Sequence, residues 1–380
     1  MSAVYPIFIL APMDDVTETV FRRIVTDCAA PDMTMTEFVN VDGLCSVGRA
    51  RLMPRLNATL DTVPVIAQIW GKTPENFETI AREISLGLLS DPEYESWLSR
   101  EMHGDEAQGG GDERSKAYIR YAEASTGADN TAIRSKAGSA SSLAGGQAKP
   151  LHFSGIDINF GCPDKSVVKN ECCSALAQPH LHEKAIEIIR ATKRGAGNMP
   201  VSIKTRLGFS SIDNTWHELL LAEKPSMLTV HVRTTKQMSK VPAQWEAILP
   251  IIELRNKLSP DTKIILNGDI KTRLQGQTLL DKYGVDGIMI GRGVFDDPYC
   301  FADSPTGESP WSELSREDKL AILKKHITFW QQTYPNGERK FDPLKKFCKI
   351  YCNGFDGAKE LREHLMSCKT ADELLTIIND

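Results

Sequence analysis

Short runs of β-branched and other apolar residues recur along the chain, and between them apolar positions are spaced as on one face of a helix. Eight of these runs predict strands, at Ile7 to Leu10, Met33 to Glu37, Val65 to Ile69, Ile156 to Asn159, Val201 to Lys204, Leu228 to His231, Ile264 to Asn267 and Gly287 to Ile290. Helices are predicted at 74–88, 181–193, 243–257 and 271–283. A further helix is expected between the first two strands, with Thr17 as its N-cap.

Eight strands that alternate with helices indicate a parallel sheet, and eight such units closing on themselves form a (β/α)8 TIM barrel. The main alternative is a doubly wound sheet, which usually has fewer strands and a glycine-rich loop after the first. Here the first strand is followed by Ala11, Pro12 and Met13, without a G-x-G-x-x-G pattern. The sequence therefore favours an α/β protein whose barrel domain covers residues 1–305.

Two segments depart from this alternation. Residues 90–150 contain no clear strand, and Ala, Ser and Gly make up about two-thirds of 124–148. We interpret 90–150 as a partly flexible surface insertion; an arm that grips the substrate is the alternative. From 311 to 380 the pattern predicts a small C-terminal all-α domain, with helices at Trp311 to Gln332, Pro343 to Tyr351, Ala358 to Met366 and Thr370 to Ile378.

Composition narrows the class of protein. The 380 residues are 41% hydrophobic and 25% charged, as is usual for a soluble globular protein. No apolar run approaches the roughly 18 residues of a membrane helix, and the start of the chain lacks the basic region of a signal peptide. The nine cysteines include no C-x-x-C pair and no metal-ligand spacing, which favours a reducing compartment. We expect a cytoplasmic monomer that binds no metal and no membrane.

Glycines and an arginine follow the last two predicted strands. Gly268 and Gly291 lack side chains, so backbone N–H groups can approach an anion there, and Arg292 adds a positive charge. Barrels often bind phosphate in the loops after strands seven and eight. These loops therefore predict a phosphate site, although two ordinary turns would also explain the glycines.

Polar residues also end the middle strands. Gln68, Lys204 and His231 supply donors of the kind that a redox ring needs where its reduced form gathers negative charge. In the segment D-I-N-F-G-C-P, Cys162 comes just after a buried strand, in a loop with Gly161 and Pro163. An unperturbed thiol, with a pKa of about 8.5, is mostly protonated at neutral pH and can serve as an acid. Without this context, the simpler interpretation of Cys162 is a small buried apolar residue.

With these motifs in place, the chain resembles the tRNA-dihydrouridine synthases. The motifs occur in family order across the barrel, and the tail resembles the family's helical RNA-binding domain. The matching segments are LAPMDDVTETVFRRIV at 10–25, TEFV at 36–39, QIWGKTPENF at 68–77, DINFGCPDKSVVKNECCSAL at 157–176, VSIKTRLGF at 201–209, LTVHVRT at 228–234, LNGDI at 266–270, DGIMIGRGVFDDP at 286–298 and LKKFCKIYCNGFDGAKELREHL at 344–365.

The resemblance implies an NADPH-dependent enzyme that uses FMN to reduce the C5–C6 double bond of a uridine in tRNA. It implies Cys162 as the acid that protonates C5, and Glu37, Asn159 and Arg206 as substrate contacts. The residues implied to bind or approach FMN are Pro12, Met13, Gln68, Lys204, His231, Asn267, Gly268, Asp269, Gly291 and Arg292.

A tRNA partner requires basic surface, because phosphate contacts supply much of the affinity. The net charge of −5 provides none overall, so a local patch is needed. Such a patch is predicted at the start of the tail helices, with Lys345 and Lys346 as tRNA contacts; an ordinary solvated face is the alternative. The basic residues in this run are Arg339, Lys340, Lys345, Lys346 and Lys349.

The chain departs from the family pattern at three places. The loop at 169–176 carries Glu171, Cys172 and Cys173 where the family is usually glycine-rich, and either cysteine is a rival to Cys162 as the acid. Val232 replaces a usual glycine, and the insertion at 90–150 has no counterpart. Two other functions remain open. One is an FMN barrel oxidoreductase acting on a free pyrimidine or dihydroorotate, and the other is a non-catalytic tRNA-binding protein.

Overall fold

The computed structural model describes residues 6–90, 94, 96, 152–304 and 306–379, so most of the insertion predicted at 90–150 lies outside the described residues. All eight predicted strands are present. The strands are β1 (Ile7–Leu10), β2 (Met33–Met35), β3 (Val39–Asn40), β4 (Val65–Trp70), β5 (Gly155–Phe160), β6 (Val201–Arg206), β7 (Met227–His231), β8 (Lys263–Asn267) and β9 (Gly287–Ile290). The second strand ends earlier than predicted, at Met35, and β3 is a short addition that the pattern did not indicate.

The strand order is β2-β1-β9-β8-β7-β6-β5-β4-β3, and β2 also pairs with β4. This order closes the sheet, as predicted for a (β/α)8 barrel, with β3 as an extra strand beside β4. Registers such as Leu10 opposite Ile290 and Asn159 opposite Lys204 are parallel. The carboxyl ends of neighbouring strands therefore lie side by side.

Helices connect the strands and form the C-terminal region. Those up to β9 are α1 (Thr19–Cys28), α2 (Val41–Leu44), α3 (Arg49–Leu52), α4 (Pro74–Ser85), α5 (Lys165–Lys169), α6 (His182–Ala196), α7 (Asn214–Ala222), α8 (Leu249–Leu258) and α9 (Arg273–Tyr283). After β9 come α10 (Gly293–Asp296), α11 (Pro310–Glu313), α12 (Arg316–Thr333), α13 (Asp342–Tyr351), α14 (Ala358–Ser367) and α15 (Ala371–Asn379). None of the helices in the described part of the chain has the length and apolarity needed to cross a membrane.

Local hydrogen bonds correct two expectations about these helices. The N-cap of α1 is Glu18 and not Thr17, because the Glu18 carboxylate accepts the N–H groups of Val20 and Phe21. The Thr17 hydroxyl instead accepts the Met13 N–H at 2.7 Å. Helix α7 was not predicted, although Asp213 caps it by accepting the N–H of Trp216.

Contacts divide the chain into two compact units. The first unit comprises 1–37, 60–64 and 265–380, and the second comprises 38–59 and 65–264. Within the first unit, helix α12 packs on α1, and the Phe347 ring lies 4.7 Å from that of Phe21. The C-terminal helices therefore share a unit with β1, β2, β9 and the carboxyl-terminal part of β8. The predicted boundary between a barrel at 1–305 and a helical domain at 311–380 remains a prediction.

Candidate active site

Strands β4 to β7 belong to the second unit, and polar residues lie in register near their carboxyl ends. This placement is unusual because strand β5 is buried along its whole length. A buried polar side chain is stable only when it is hydrogen-bonded. The register pairs are Gln68 with Asp157, Asn159 with Lys204 and Arg206 with His231.

A chain of hydrogen bonds satisfies three of these side chains. The Asp157 carboxylate accepts the Gln68 amide at 2.7 Å and the Ser202 hydroxyl at 2.5 Å. The Gln68 carbonyl oxygen accepts the Asn159 amide at 3.1 Å. Burial raises the pKa of Asp157 to about 6, while the bonds from Ser202 and Gln68 act in the opposite direction. Hydrogen bonds within the protein thus hold Gln68 and Asn159 in place, and the ligand contacts predicted for these two residues would be additional.

The same chain ends at the loop that carries Cys162. Asn159 Oδ1 accepts the N–H groups of Gly161 at 2.9 Å and Cys162 at 3.0 Å. On the other side, the Cys162 carbonyl accepts the Ser174 hydroxyl at 2.7 Å. The Cys162 side chain is half-buried beside an apolar cluster of Val167, Cys172 and Cys173. The loop is therefore fixed at both ends around a thiol that is not sealed in the core.

The two rival cysteines lie deeper. Cys172 and Cys173 are 3% and 1% exposed, and burial raises the pKa of both thiols. The Cys172 thiol donates to the Asn170 carbonyl at 3.3 Å. Glu171 and Cys173 adopt φ angles of 56° and 51°, a left-handed conformation that explains the preference for glycine in this loop. Among the three cysteines, Cys162 is the most accessible.

Lys204 carries a charge without a fixed partner. Its half-buried ammonium makes no hydrogen bond or ion pair with any residue that the structure describes. Burial lowers its pKa to about 8 and the positive charge of Arg206 adds to this, while Asp157 and Cys162 oppose the shift. A partly desolvated cation of this kind is suited to an anionic or electron-rich ligand.

Arg206 and His231 are tied to neighbouring loops. The Arg206 guanidinium donates to the carbonyl oxygens of Gly161 at 2.7 Å and Met238 at 3.0 Å, and burial lowers its pKa to about 10. His231 Nε2 lies 3.1 Å from the guanidinium of Arg233. Arg206 therefore fixes the loops after β5 and β7, in addition to the uracil contact predicted for it.

The predicted phosphate residues lie in the first unit, at the ends of β8 and β9. Gly268 has a φ of 132°, which favours glycine, whereas a Cβ at Gly291 would make only ordinary contacts with Ala11 and Met13. Gly291 itself is half-buried, so its backbone is not sealed in the core, and its role as a phosphate contact remains a prediction. Arg292 donates to Asp269 at 2.8 Å and remains 61% exposed.

The remaining residues predicted to approach FMN also follow strands of the first unit. Asn267 donates its amide to the Met289 carbonyl at 2.9 Å, which holds β8 to β9. Pro12 and Met13 follow β1 and are half-buried. Asn267 therefore has a structural partner of its own, whereas Pro12 and Met13 leave surface for a ligand.

Glu37, predicted as a substrate contact, is fully buried in an ion pair. Its carboxylate accepts both terminal nitrogens of Arg339 and the Asp15 N–H at 2.7 Å. Arg339 also lies 3.6 Å from the Asp15 carboxylate and is only 8% exposed. The inclusion of Arg339 in an exposed basic run was wrong, and for Glu37 the geometry favours a structural role.

The basic residues of α13 differ in their freedom. The Lys345 ammonium donates to the Cys368 carbonyl at 3.2 Å and pairs with Asp342 at 2.9 Å. Lys346 and Lys349 are exposed and make no hydrogen bond or ion pair within the described part of the chain. Of the two predicted tRNA contacts, Lys346 is the one available to a partner.

The chain folds as a closed parallel barrel, and polar side chains with one half-buried thiol lie near the carboxyl ends of strands β4 to β7, an arrangement typical of a barrel enzyme. Comparison with known proteins specifies the family. The model of the dihydrouridine synthase (Dus) family matches residues 9–85 and 142–379. The chain belongs to this family, and the match omits 86–141, where the sequence predicts an insertion.

Curated relatives match nearly the whole chain. A probable tRNA-dihydrouridine synthase 2 of Bacillus subtilis is 36% identical over 99% of this chain and 94% of its own. A probable tRNA-dihydrouridine synthase of Staphylococcus aureus (strain COL) is 35% identical over 99% of this chain and 93% of its own. A solved structure of an old yellow enzyme homologue of Zymomonas mobilis aligns over 80% of this chain and 94% of its own. With a TM-score of 0.39 and 13% identity, this similarity is too low to support an inference.

Sequence reasoning missed the residues that support the site. Asp157 was noted only as the first letter of its motif, and Ser174 and Arg233 were given no role. For Asp157 a signal existed, because a carboxylate in a strand that is otherwise apolar needs a partner. The bond from Ser174 to Cys162 depends on a fold of the loop that the sequence does not reveal.

Proposed function

We propose that this chain is a tRNA-dihydrouridine synthase that uses FMN and NADPH to reduce the C5–C6 double bond of a uridine in tRNA. The observation that carries the proposal is the half-buried thiol of Cys162 in the loop after β5, next to strand β6, where the Lys204 ammonium makes no hydrogen bond or ion pair with the residues that the structure describes. The fold, the family and the names of the relatives support the same reaction. We further propose that the chain acts as a cytoplasmic monomer, as its composition predicts.

The residues that would hold FMN come from the sets described above. Gly268, Gly291 and Arg292 would hold the phosphate, because they offer backbone N–H groups and a partly exposed guanidinium. Lys204 would face the flat ring, with Gln68 and His231 as further donors. When bound, FMN supplies hydride to C6 of the uracil, and NADPH supplies the electrons.

Cys162 would donate the proton that C5 requires. A thiol is ordinarily protonated at neutral pH, which suits a general acid. Asn159 and Arg206 would contact the uracil with the donors that their structural bonds leave free. A uridine must leave its stack to reach any such pocket, and the cost of unstacking is a few kcal/mol. Lys346, with Lys345 beside it, would contact tRNA phosphates.

The test is mass spectrometry of nucleosides from unmodified tRNA after incubation with the purified protein, FMN and NADPH. We expect one uridine to gain two hydrogens, and we expect free uracil under the same conditions to remain unchanged. Reduction of uracil or oxidation of dihydroorotate, with tRNA untouched, would establish the small-molecule alternative. Binding of tRNA without NADPH oxidation or any bound flavin would establish the non-catalytic alternative.

A further inference from the structure

One buried carboxylate lies at the start of the hydrogen-bond chain that leads to Cys162. Asp157 is fully buried on β5, two residues before Asn159 and five before Cys162. When ionised, as above its pKa of about 6, its carboxylate can only accept hydrogen bonds, so it determines which way the amide of Gln68 faces. With the Gln68 nitrogen turned toward Asp157, the Gln68 oxygen must face Asn159.

The orientation of Gln68 in turn determines how Asn159 binds the loop that carries Cys162. Because Asn159 donates its amide nitrogen to Gln68, its oxygen faces the N–H groups of Gly161 and Cys162. A reversed Asn159 would place its NH₂ against those two N–H groups, and donors that face donors leave buried groups without hydrogen bonds, which is unfavourable. The position of Cys162 therefore depends on an acceptor at residue 157.

We propose that Asp157 is a positioning residue that orients Gln68 and Asn159 by hydrogen bonding and so holds the Cys162 loop in its reactive conformation. This inference rests on the proposed function, in which Cys162 is the proton donor. It assigns Asp157 no contact with substrate or cofactor.

Asp157 has a second candidate role, because its negative charge also acts on Lys204. The two roles differ in what they require. Orientation of Gln68 needs an acceptor oxygen at residue 157, whereas compensation of Lys204 needs a negative charge. Asparagine supplies the first without the second, and leucine supplies neither at nearly the same volume.

The experiment compares Asp157→Asn with Asp157→Leu in the full-length, FMN-loaded enzyme. Two rates are measured, the reduction of tRNA in a single turnover and the alkylation of Cys162 by iodoacetamide, followed by mass spectrometry of the Cys162 peptide. Ser202→Ala is the matched control, because it removes the other partner of Asp157 and leaves the chain to Cys162 intact.

We expect Asp157→Leu to slow tRNA reduction by roughly tenfold to hundredfold, the equivalent of one or two unsatisfied buried groups. Its affinity for tRNA, read from the enzyme concentration that gives half the maximal single-turnover rate, should change little, because the phosphate contacts that supply much of the affinity are kept, and Cys162 should be alkylated severalfold faster as the loop loosens. Asp157→Asn should retain the rate within about threefold, since its oxygen still accepts from Gln68. Ser202→Ala should resemble the wild type in both measurements.

Equal losses in Asp157→Asn and Asp157→Leu, with Cys162 alkylated as in the wild type, would overturn the inference in favour of a charge role. If Asp157→Leu does not fold, Gln68→Met interrupts the chain at its middle and must accelerate alkylation of Cys162. An unchanged alkylation rate in Gln68→Met would also overturn the inference. A wild-type enzyme that fails to reduce tRNA would refute the proposed function and is recognised separately from either result.

Discussion

Two buried or half-buried cations in this molecule have opposite surroundings. In the first unit, the Arg339 guanidinium pairs with the carboxylates of Glu37 and Asp15. It also lies about 6 Å from the ring centroids of Trp330 and Tyr334. Lys204, in the second unit, makes no ion pair within the described ranges. Removal of a buried charge whose bonds are complete destabilises the fold, because its partner is left unpaired, whereas a desolvated charge without a partner lowers stability and is retained for a ligand.

The largest effect is expected from breaking the satisfied pair. Arg339→Met should lower the free energy of unfolding by about 3–5 kcal/mol, because Glu37 is left buried and unpaired. Urea denaturation measures this value. Adding Glu37→Gln to Arg339→Met should recover part of the loss, and a double variant that is less stable than the single one would contradict the pairing.

Lys204→Met tests the opposite case. Catalysis should fall by about 10²–10³-fold, as when a group that stabilises developing charge is removed, while thermal stability rises. Folding lowers the Lys204 pKa from 10.5 to about 8, so the cost of burying its charge is complete below pH 8 and vanishes as pH rises toward 10.5. The stability advantage of the variant should therefore shrink between pH 8 and 10.5.

Lys236→Met is the control for this experiment, since Lys236 is exposed over the Phe209 ring. Lys236→Met should leave both the catalytic rate and the pH dependence of thermal stability unchanged. A wild-type rate in Lys204→Met would mean that the open ammonium has no part in the reaction.

Glu18 is an intermediate case between these two cations. Its carboxylate accepts hydrogen bonds, yet burial disfavours its charged form. Burial raises its pKa from 4.5 to about 7, against the opposing effect of the Val20 N–H. The folded state therefore holds a proton that the unfolded state has lost, and stability from this group falls as pH rises from 4.5 to 7. In Glu18→Gln the decline should be smaller, most clearly between pH 6 and 7, where Asp157, whose pKa burial raises to about 6, contributes less; the melting temperature at half-unit pH intervals measures it. Parallel pH curves for the two proteins would exclude Glu18 as its source.

The smallest effect concerns two neighbouring lysines of α13. Lys346→Glu should weaken tRNA binding severalfold, because the Lys346 ammonium is exposed. The slope of the logarithm of tRNA affinity against the logarithm of salt concentration should fall by the equivalent of about one phosphate contact. Lys345→Glu should mainly destabilise the tail, since Lys345 is bound to Cys368. Lys257→Glu, an equal charge change on an exposed residue of α8, is the control for binding. Equal tRNA affinity in Lys346→Glu and Lys257→Glu would remove α13 from the proposed interface.

The sequence predicted the architecture well because the barrel repeats one local pattern. Each strand was marked by a short apolar run, and the residues after it could be assigned to one edge of the sheet. The apolar pattern did not predict helix α7, whose start depends on one capping residue, Asp213. It also placed the end of β2 two residues too late, since that strand ends at Met35.

Residue types at the candidate site were predictable, but their partners were not. Cys162, Lys204 and Gly291 were selected from the sequence, and the structure leaves all three half-buried; their roles remain predictions. The ion pair of Glu37 with Arg339 joins residues about 300 positions apart, and no periodicity reports such a contact. The same is true of the bond between Gln68 and Asp157, which come together only when β4 and β5 pair.

The most direct test of the central claim is the rate of dihydrouridine formation by Cys162→Ala in a single turnover on unmodified tRNA. We expect NADPH oxidation and the melting temperature to stay near their wild-type values while dihydrouridine formation falls by about 10²-fold or more, an outcome that identifies Cys162 as the general acid. Formation of dihydrouridine by Cys162→Ala at the wild-type rate would contradict this role.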